Sequence, residues 1–171
     1  GQFTHIDKLW KIFLNNEREL NADFTILADG RTSQNISSSN TLIGDQIFIE
    51  EGAEIEGAIL NAKSGPIYVG KNAKILEGAM IRNGLALCES SVIKMGAKIY
   101  GATTVGPHSK VGGEVSNSVL FGYSNKGHDG YLGNAVIGEW CNLGADTNNS
   151  NLKNNYDPVK LWNYKRGGFE R

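Results

Sequence analysis

Eight aliphatic residues stand six apart without a miss: Val69, Ile75, Ile81, Leu87, Ile93, Ile99, Val105 and Val111. Neither a helix of about 3.6 residues per turn nor a plain strand of period two puts such a series on one face. A chain that winds round a common axis does. Four residues after each aliphatic comes a mostly small residue: Ala73, Ala79, Leu85, Ser91, Ala97, Thr103, Ser109 and Val115. A large aliphatic with a small residue at a fixed offset is the pattern of a hexapeptide parallel β-helix. Each hexad is a short strand and a turn, and three hexads make one triangular coil. The aliphatics then point inward and stack coil on coil, about 4.8 Å apart.

The phase runs back through Ile43, Ile49 and Ile55 and forward to Ile137 and Leu143. It breaks twice. Between Ile55 and Val69 there are two residues too many, which predicts a long corner at Asn61 to Pro66, closed by Gly65 and Pro66. From Val111 to Leu132 the interval is 21 residues instead of 18, and the polar, aromatic and glycine-rich stretch Ser116 to Tyr131 is expected to project from the prism.

Ahead of the repeat, Ile6, Leu9, Trp10, Phe13, Leu20 and Phe24 fall near helical spacing, with Thr4 and Asp7 placed like a capping pair. One amphipathic helix over residues 5 to 22 follows, its apolar stripe expected to cover the first open coil or a preceding domain. Residues 28 to 41 have linker composition. The boundary is placed near Asn40, giving a helical arm and linker over 1–40 and a β-helix domain over 41–171. At the far end, Val159 to Lys165 alternates like one more strand and no capping helix follows, so the β-helix is expected to continue beyond the chain. A first residue of Gly rather than Met points the same way, to an excised piece.

The 22 glycines suit tight corners. A formal charge of -1 without a basic run argues against nucleic acid, whose phosphates need clustered Lys or Arg. No apolar stretch has the roughly 18 residues of a membrane span. Cys88 and Cys141 sit in no paired motif and read as buried thiols of a reducing compartment, which makes the cytoplasm the default.

Polar side chains gather from Asn125 to Thr147. His128 can accept a proton near neutrality from an amine or hydroxyl attacking a carbonyl, and Gly127 and Gly130 beside it admit a close ligand. The pattern His128-x-x-Tyr131-Leu-Gly, then Ile137-Gly-x-x-x-Asn142-x-Gly144-Ala145-x-Thr147, resembles the active-site stretch of the acetyltransferase domain of bifunctional N-acetylglucosamine-1-phosphate uridyltransferase and glucosamine-1-phosphate acetyltransferase. The phrases Gly122 to Gly130 and Gly138 to Ala145 are similar to those of sugar nucleotidyltransferases of the same two-domain plan, some labelled glucose-1-phosphate thymidylyltransferase. In that plan a nucleotidyltransferase domain precedes a helical arm and then the β-helix.

The resemblance implies a left-handed β-helix, a homotrimer with its site between neighbouring chains, and acetyl-coenzyme A as co-substrate. It places His128 as general base, Tyr131 on the sugar phosphate, Asn142 on the amino sugar and Asn151 on a ligand-contacting position. It also places Ala145, with Gly144 beside it, where a backbone N–H meets the thioester or its oxyanion. Such a donor contributes about 3 kcal/mol to the transition state. His128 would take the proton from the sugar's 2-amine as it attacks the thioester, with no acyl-enzyme. Glu114 to Ser118 replaces the family's lysine-rich phosphate-holding stretch, Leu152 stands where the family has Tyr, and the later coils that carry much of the coenzyme site are not in the chain. Lys126, Lys110 and Lys98 are the substitute cations for phosphate.

Two other readings are weighed. A zinc hydratase on the same scaffold needs three histidine ligands, and His5, His108 and His128 include no suitable pair, so no metal is expected. A solenoid that only trimerises or regulates an attached enzyme would use Trp140, Tyr123 and Tyr131 as interface anchors. Nucleotidyl transfer needs a glycine-rich phosphate loop with Arg, Lys and Mg²⁺ carboxylates, and none is visible in these residues.

Overall fold

The computed structural model describes residues 3–150 and 152–170. One helix, Lys11–Ala28, leads into short strands of two or three residues that wind into three parallel sheets of six, six and five strands. Each strand pairs with the third one along, so about five turns stack into a solenoid. The first face starts at Thr41–Ile43 and ends at Tyr131–Gly133. The second runs from Ile47–Ile49 to Val136–Ile137, and the third from Glu54–Ile55 to Asn125–Lys126.

The period of six becomes the core directly. Ile75, Ile93 and Val111 lie in register on the third face, Ile81 and Ile99 on the first, and Val69, Leu87 and Val105 on the second. All eight residues of the run are at most 1% exposed, and their small partners from Ala73 to Val115 are fully buried. Three hydroxyls at such positions find a carbonyl in the next coil, Ser91 Oγ donating to Gly106 O at 2.8 Å, Ser109 Oγ to Phe121 O at 3.1 Å and Ser124 Oγ to Gly138 O at 2.7 Å, while Thr103 Oγ1 donates within its own coil to Gly101 O at 3.1 Å. A buried hydroxyl so bonded avoids the cost of an unpaired polar group.

The first break is the long corner expected before Ile67, and the second departs from expectation. At the first, the corner before Leu60 is one residue short and the corner Asn61 to Pro66 is three long, so Leu60, not Asn61, lies over Ile81. Leu42, though 49% exposed, therefore stands in register with Leu60 on the first face in place of Ile43. The second is a correction. Nothing projects between Ser116 and Tyr131: this stretch holds the strands Val119–Leu120 and Asn125–Lys126, paired with Thr103–Val105 and Lys110–Val111. The coil shortens, with Val105 over Leu120 and Val111 over Lys126, each 15 residues on instead of 18. Gly112 and Gly113 allow this tight corner because a Cβ on either would meet the backbone of the next coil at 2.6 and 2.9 Å.

The helix spans Lys11–Ala28, not 5 to 22. Trp10 is its N-cap residue and supplies no side-chain cap. Thr4 is drawn instead to Glu19, at 2.8 Å, and Asp7 to Lys11, at 2.5 Å. Nor does the helix cover the open first coil. It lies along the second face, where Asn16 donates to Ala102 O and accepts from Thr104 Oγ1, both at 2.8 Å, and Leu20 is buried. The open coil is met by the segment of linker composition. Gln34 N–H donates to Ile49 O at 2.8 Å, Ser33 Oγ accepts from Ile49 N–H at 2.9 Å and Asn40 Oδ1 accepts from Ala58 N–H at 2.9 Å. Its Ser, Gln and Asn side chains supply partners to an edge that would otherwise present unpaired N–H and C=O groups.

Arg31 fastens the helix to the first coil through a two-pronged pair with Glu50, at 2.9 and 2.6 Å, and Tyr68 Oη donates to the same carboxylate at 2.7 Å. The Arg31 guanidinium holds the Glu50 carboxyl below its ordinary value of 4.5, against the opposing effect of burial. A depressed carboxyl contributes stability that is full above its unfolded pKa and disappears as pH falls through the folded one. Glu50→Gln should therefore destabilise at pH 7, with the gap to the native chain closing below about pH 4.5. Urea unfolding across pH 7 to 3 checks this, and a gap that stays constant contradicts it.

Val159 to Lys165 is not another coil. Leu161–Asn163 pairs antiparallel with Gly168–Glu170 in a hairpin that turns at Gly167, φ 63°, with Trp162 edge-on to Phe169 at 5.1 Å. Glu170 forms an ion pair with Lys8, which brings the hairpin back beside the start of the helix.

Candidate functional site

The third face ends at Asn125–Lys126 and the first resumes at Tyr131–Gly133. The corner between them, Gly127 to Gly130, carries His128, and it is held from both sides. Below it, a Cβ on Gly113 would lie 2.9 Å from Asp129 Cα and from His128 O. Above it, a Cβ on Gly130, φ 119°, would lie 2.5 Å from Thr147 O. Only bare backbone fits in both places. His128 itself is exposed, and its imidazole makes no hydrogen bond among the described residues.

The next coil places Gly144 and Ala145 at the same corner. Asn142 bridges to Asn125, Leu143 N–H donates to Asn125 O at 2.8 Å and Asp146 N–H to Asp129 O at 3.0 Å, so Ala145 stands over His128. Among the described residues, the N–H groups of Gly144 and Ala145 donate to no backbone carbonyl. Asn142 is exposed on the third face beside the corner. Tyr131 is half-buried at the start of the first face. Its N–H is taken by Asn148 Oδ1 at 2.7 Å and its ring lies over Gly133, where a Cβ would collide with the phenol. His128, Tyr131, Asn142, Gly144 and Ala145 are thus gathered within two successive coils. Asn151 lies outside the described residues.

Lys126 departs from expectation. Read as a surface cation for phosphate, it is 2% exposed and stands in the inward column over Val111, with Nζ donating to His128 O at 2.6 Å. Burial pushes its amine below the usual lysine value, partly offset by Asp129. The cause is the shortened coil: fifteen residues after Val111 the inward position falls on Lys126. Lys110 and Lys98 remain exposed on the third and first faces. Glu114 lies in register beneath Tyr131 and accepts from Tyr100 Oη at 2.5 Å, which raises the Tyr100 phenol to about 12.

Sequence reasoning missed an aromatic stack at the neighbouring corner. Gly52, Asn72, Ser90, His108, Tyr123 and Trp140 occupy equivalent corner positions, all with φ between 55° and 77°. The last three stack face to face, with ring centroids 5.0 and 4.6 Å apart. A non-glycine residue held there costs on the order of 1–3 kcal/mol, and each stacked pair returns about 0.5–1.5 kcal/mol. Recurrence of the corner position along the chain is the signal that could have found it. Clefts on the single chain lie between the helix and the second face and beside the hairpin, and these are lined by none of the gathered residues. Cys88 and Cys141 are free and half-buried, more open than expected. Among the described residues no group of three or more His, Cys, Asp or Glu is placed to hold a metal ion, and no helix is long and apolar enough to cross a membrane.

No protein-family model matches the chain. Similarity to individual proteins is clear. The bifunctional protein GlmU of Bordetella parapertussis is 28% identical over 168 residues, covering 92% of this chain. Its namesake in Cyanothece sp. is 26% identical over 169 residues, covering 86%. That of Trichodesmium erythraeum is 32% identical over 102 residues, covering 58%. The chain is similar to the bifunctional GlmU proteins. It spans between 20% and 36% of their length. The parallel solenoid with one preceding helix agrees with the β-helix that the resemblance around His128 implies.

Proposed function

We propose that this chain is the acyl-transfer part of a larger sugar nucleotidyltransferase, moving an acetyl group from acetyl-coenzyme A to the amine of an amino sugar phosphate in the cytoplasm. The observation that carries the reading is the stacked corner: an exposed imidazole at His128 with N–H groups at Gly144 and Ala145, one coil on, that are unengaged among the described residues. A base and an oxyanion donor offset by one coil are what amine attack on a thioester requires. His128 takes the ammonium proton as the C–N bond forms, the Ala145 N–H meets the oxyanion, and coenzyme A leaves as its thiol. Tyr131 and Asn142 hold the sugar. Phosphate is met by Lys110 or Lys98 in place of the family's lysine cluster. A homotrimer, with a neighbouring chain closing the open side of the corner, completes the site.

The test is release of free coenzyme A thiol from acetyl-coenzyme A and glucosamine 1-phosphate, by this chain and by a version lengthened at its C-terminal end. His128→Ala, exposed and so without effect on folding, should lower kcat by about 10²- to 10⁴-fold. Equal rates for native and His128→Ala protein, or no transfer by either length, overturn the reading. Among the described residues, the clefts beside the helix and the hairpin do not include His128, which favours a second reading, a scaffold that trimerises or regulates an attached enzyme. An inactive but trimeric protein would establish it.

A further inference from the structure

The inward column of the third face reads Ile55, Ile75, Ile93, Val111, Lys126. Four aliphatics are followed by an ammonium in the same register, beneath Leu143, which packs partly buried against the core. Packing gives no reason for it. A methionine of similar length would fill the position without desolvating a charge, and replacing buried charges by apolar groups of like volume is commonly neutral or stabilising. What the amine does there is donate one hydrogen bond, 2.6 Å long, to the carbonyl oxygen of His128.

That carbonyl points back into the solenoid, against Gly113, while the His128 side chain is exposed to the outside. Fixing the carbonyl fixes the plane of the peptide that follows His128 and hence the direction in which Cα–Cβ leaves the corner. Gly127 and Gly130 on either side give this corner little stiffness of its own. We propose that Lys126 is a positioning residue for His128, its interior ammonium gripping the His128 carbonyl so that the imidazole is held out beneath Ala145. The inference rests on reading His128 as the base. It gives the chain a structural expense inside its core in exchange for a rigid catalytic corner.

The experiment compares native protein with Lys126→Met and, in case the thioether packs badly, Lys126→Leu. Unfolding midpoint, hydrogen exchange of the Glu114 and Asp146 amides, whose N–H groups donate to Gly130 O and Asp129 O of the corner, and kcat and KM for acetyl transfer are measured on each. A hydrogen bond from a charged donor is worth roughly tenfold or more in an equilibrium. Exchange at the corner should accelerate by about that factor, and kcat should fall by at least a similar one with KM within about twofold, while the unfolding midpoint stays level or rises. A merely structural lysine would move the midpoint and leave the split between kcat and KM alone. Unchanged exchange and unchanged kcat in a folded variant overturn the proposal. If native protein transfers no acetyl group, the reading of His128 as base fails by itself. Amide exchange at the corner still decides whether Lys126 holds it.

Discussion

Ile93→Asp leaves no folded chain, and Ile93→Ala lowers the unfolding free energy by about 2–5 kcal/mol. Ile93 is fully buried mid-column, with Ile75 one coil below and Val111 one coil above. Neither neighbour offers a hydrogen-bond partner. An ionised carboxylate there would be desolvated without compensation, at a cost of several kcal/mol or a proton taken up to avoid it. Domains of this size are stable by roughly 5–15 kcal/mol in total, so the loss is comparable with the whole. In a solenoid each coil packs only on its neighbours, so a failed coil also separates the two halves. Met95, 68% exposed at a corner, is the control, and Met95→Ala should stay within about 0.5 kcal/mol. Urea unfolding followed by circular dichroism measures all three. A folded, cooperative Ile93→Asp at neutral pH contradicts the account of the core.

Gly113→Ala is expected to cost more than about 3 kcal/mol, combining αL strain of about 1–2 kcal/mol with a collision. At φ 69° the new Cβ lies 2.9 Å from Asp129 Cα and from His128 O, both backbone atoms that no side-chain rotation can move. Gly96 separates the two effects. Its φ is 67° and a Cβ there meets nothing within 4 Å, so Gly96→Ala carries the strain alone. The difference between the two variants measures the steric part. Because that part is spent by pushing Gly127 to Gly130 outward, Gly113→Ala should also abolish the proposed acetyl transfer in whatever fraction stays folded. Equal unfolding free energies for the two variants would show that the coils are not in contact at this corner.

The placement of the candidate site was legible because it is written as local pattern. Gly127 and Gly130 around His128, and the run from Ile137 to Thr147, mark the corner and its partner in the next coil, and the structure stacks them. The side-chain environment was not legible for Lys126. Its meaning depended on the length of the coil before it, and Gly112-Gly113 removes residues from that coil only because of what lies above them. The aromatic stack was hidden for the same reason, since Tyr123 follows His108 by 15 residues and precedes Trp140 by 17. The helix was recognised from its apolar spacing, but its ends and its resting place were set by side-chain partners distant in sequence: Thr4 with Glu19, and Asn16 with Ala102 and Thr104.

By itself the sequence determined the solenoid and its core, from Val69 to Val111, because a side chain's direction on a short strand follows from its position in the repeat and from nothing further away. Tertiary structure alone decided where the repeat is compressed, which face the helix covers, and that Lys126 turns inward to His128. Those depend on which residues of successive coils meet, and a change of one to three residues in a corner shifts every later contact.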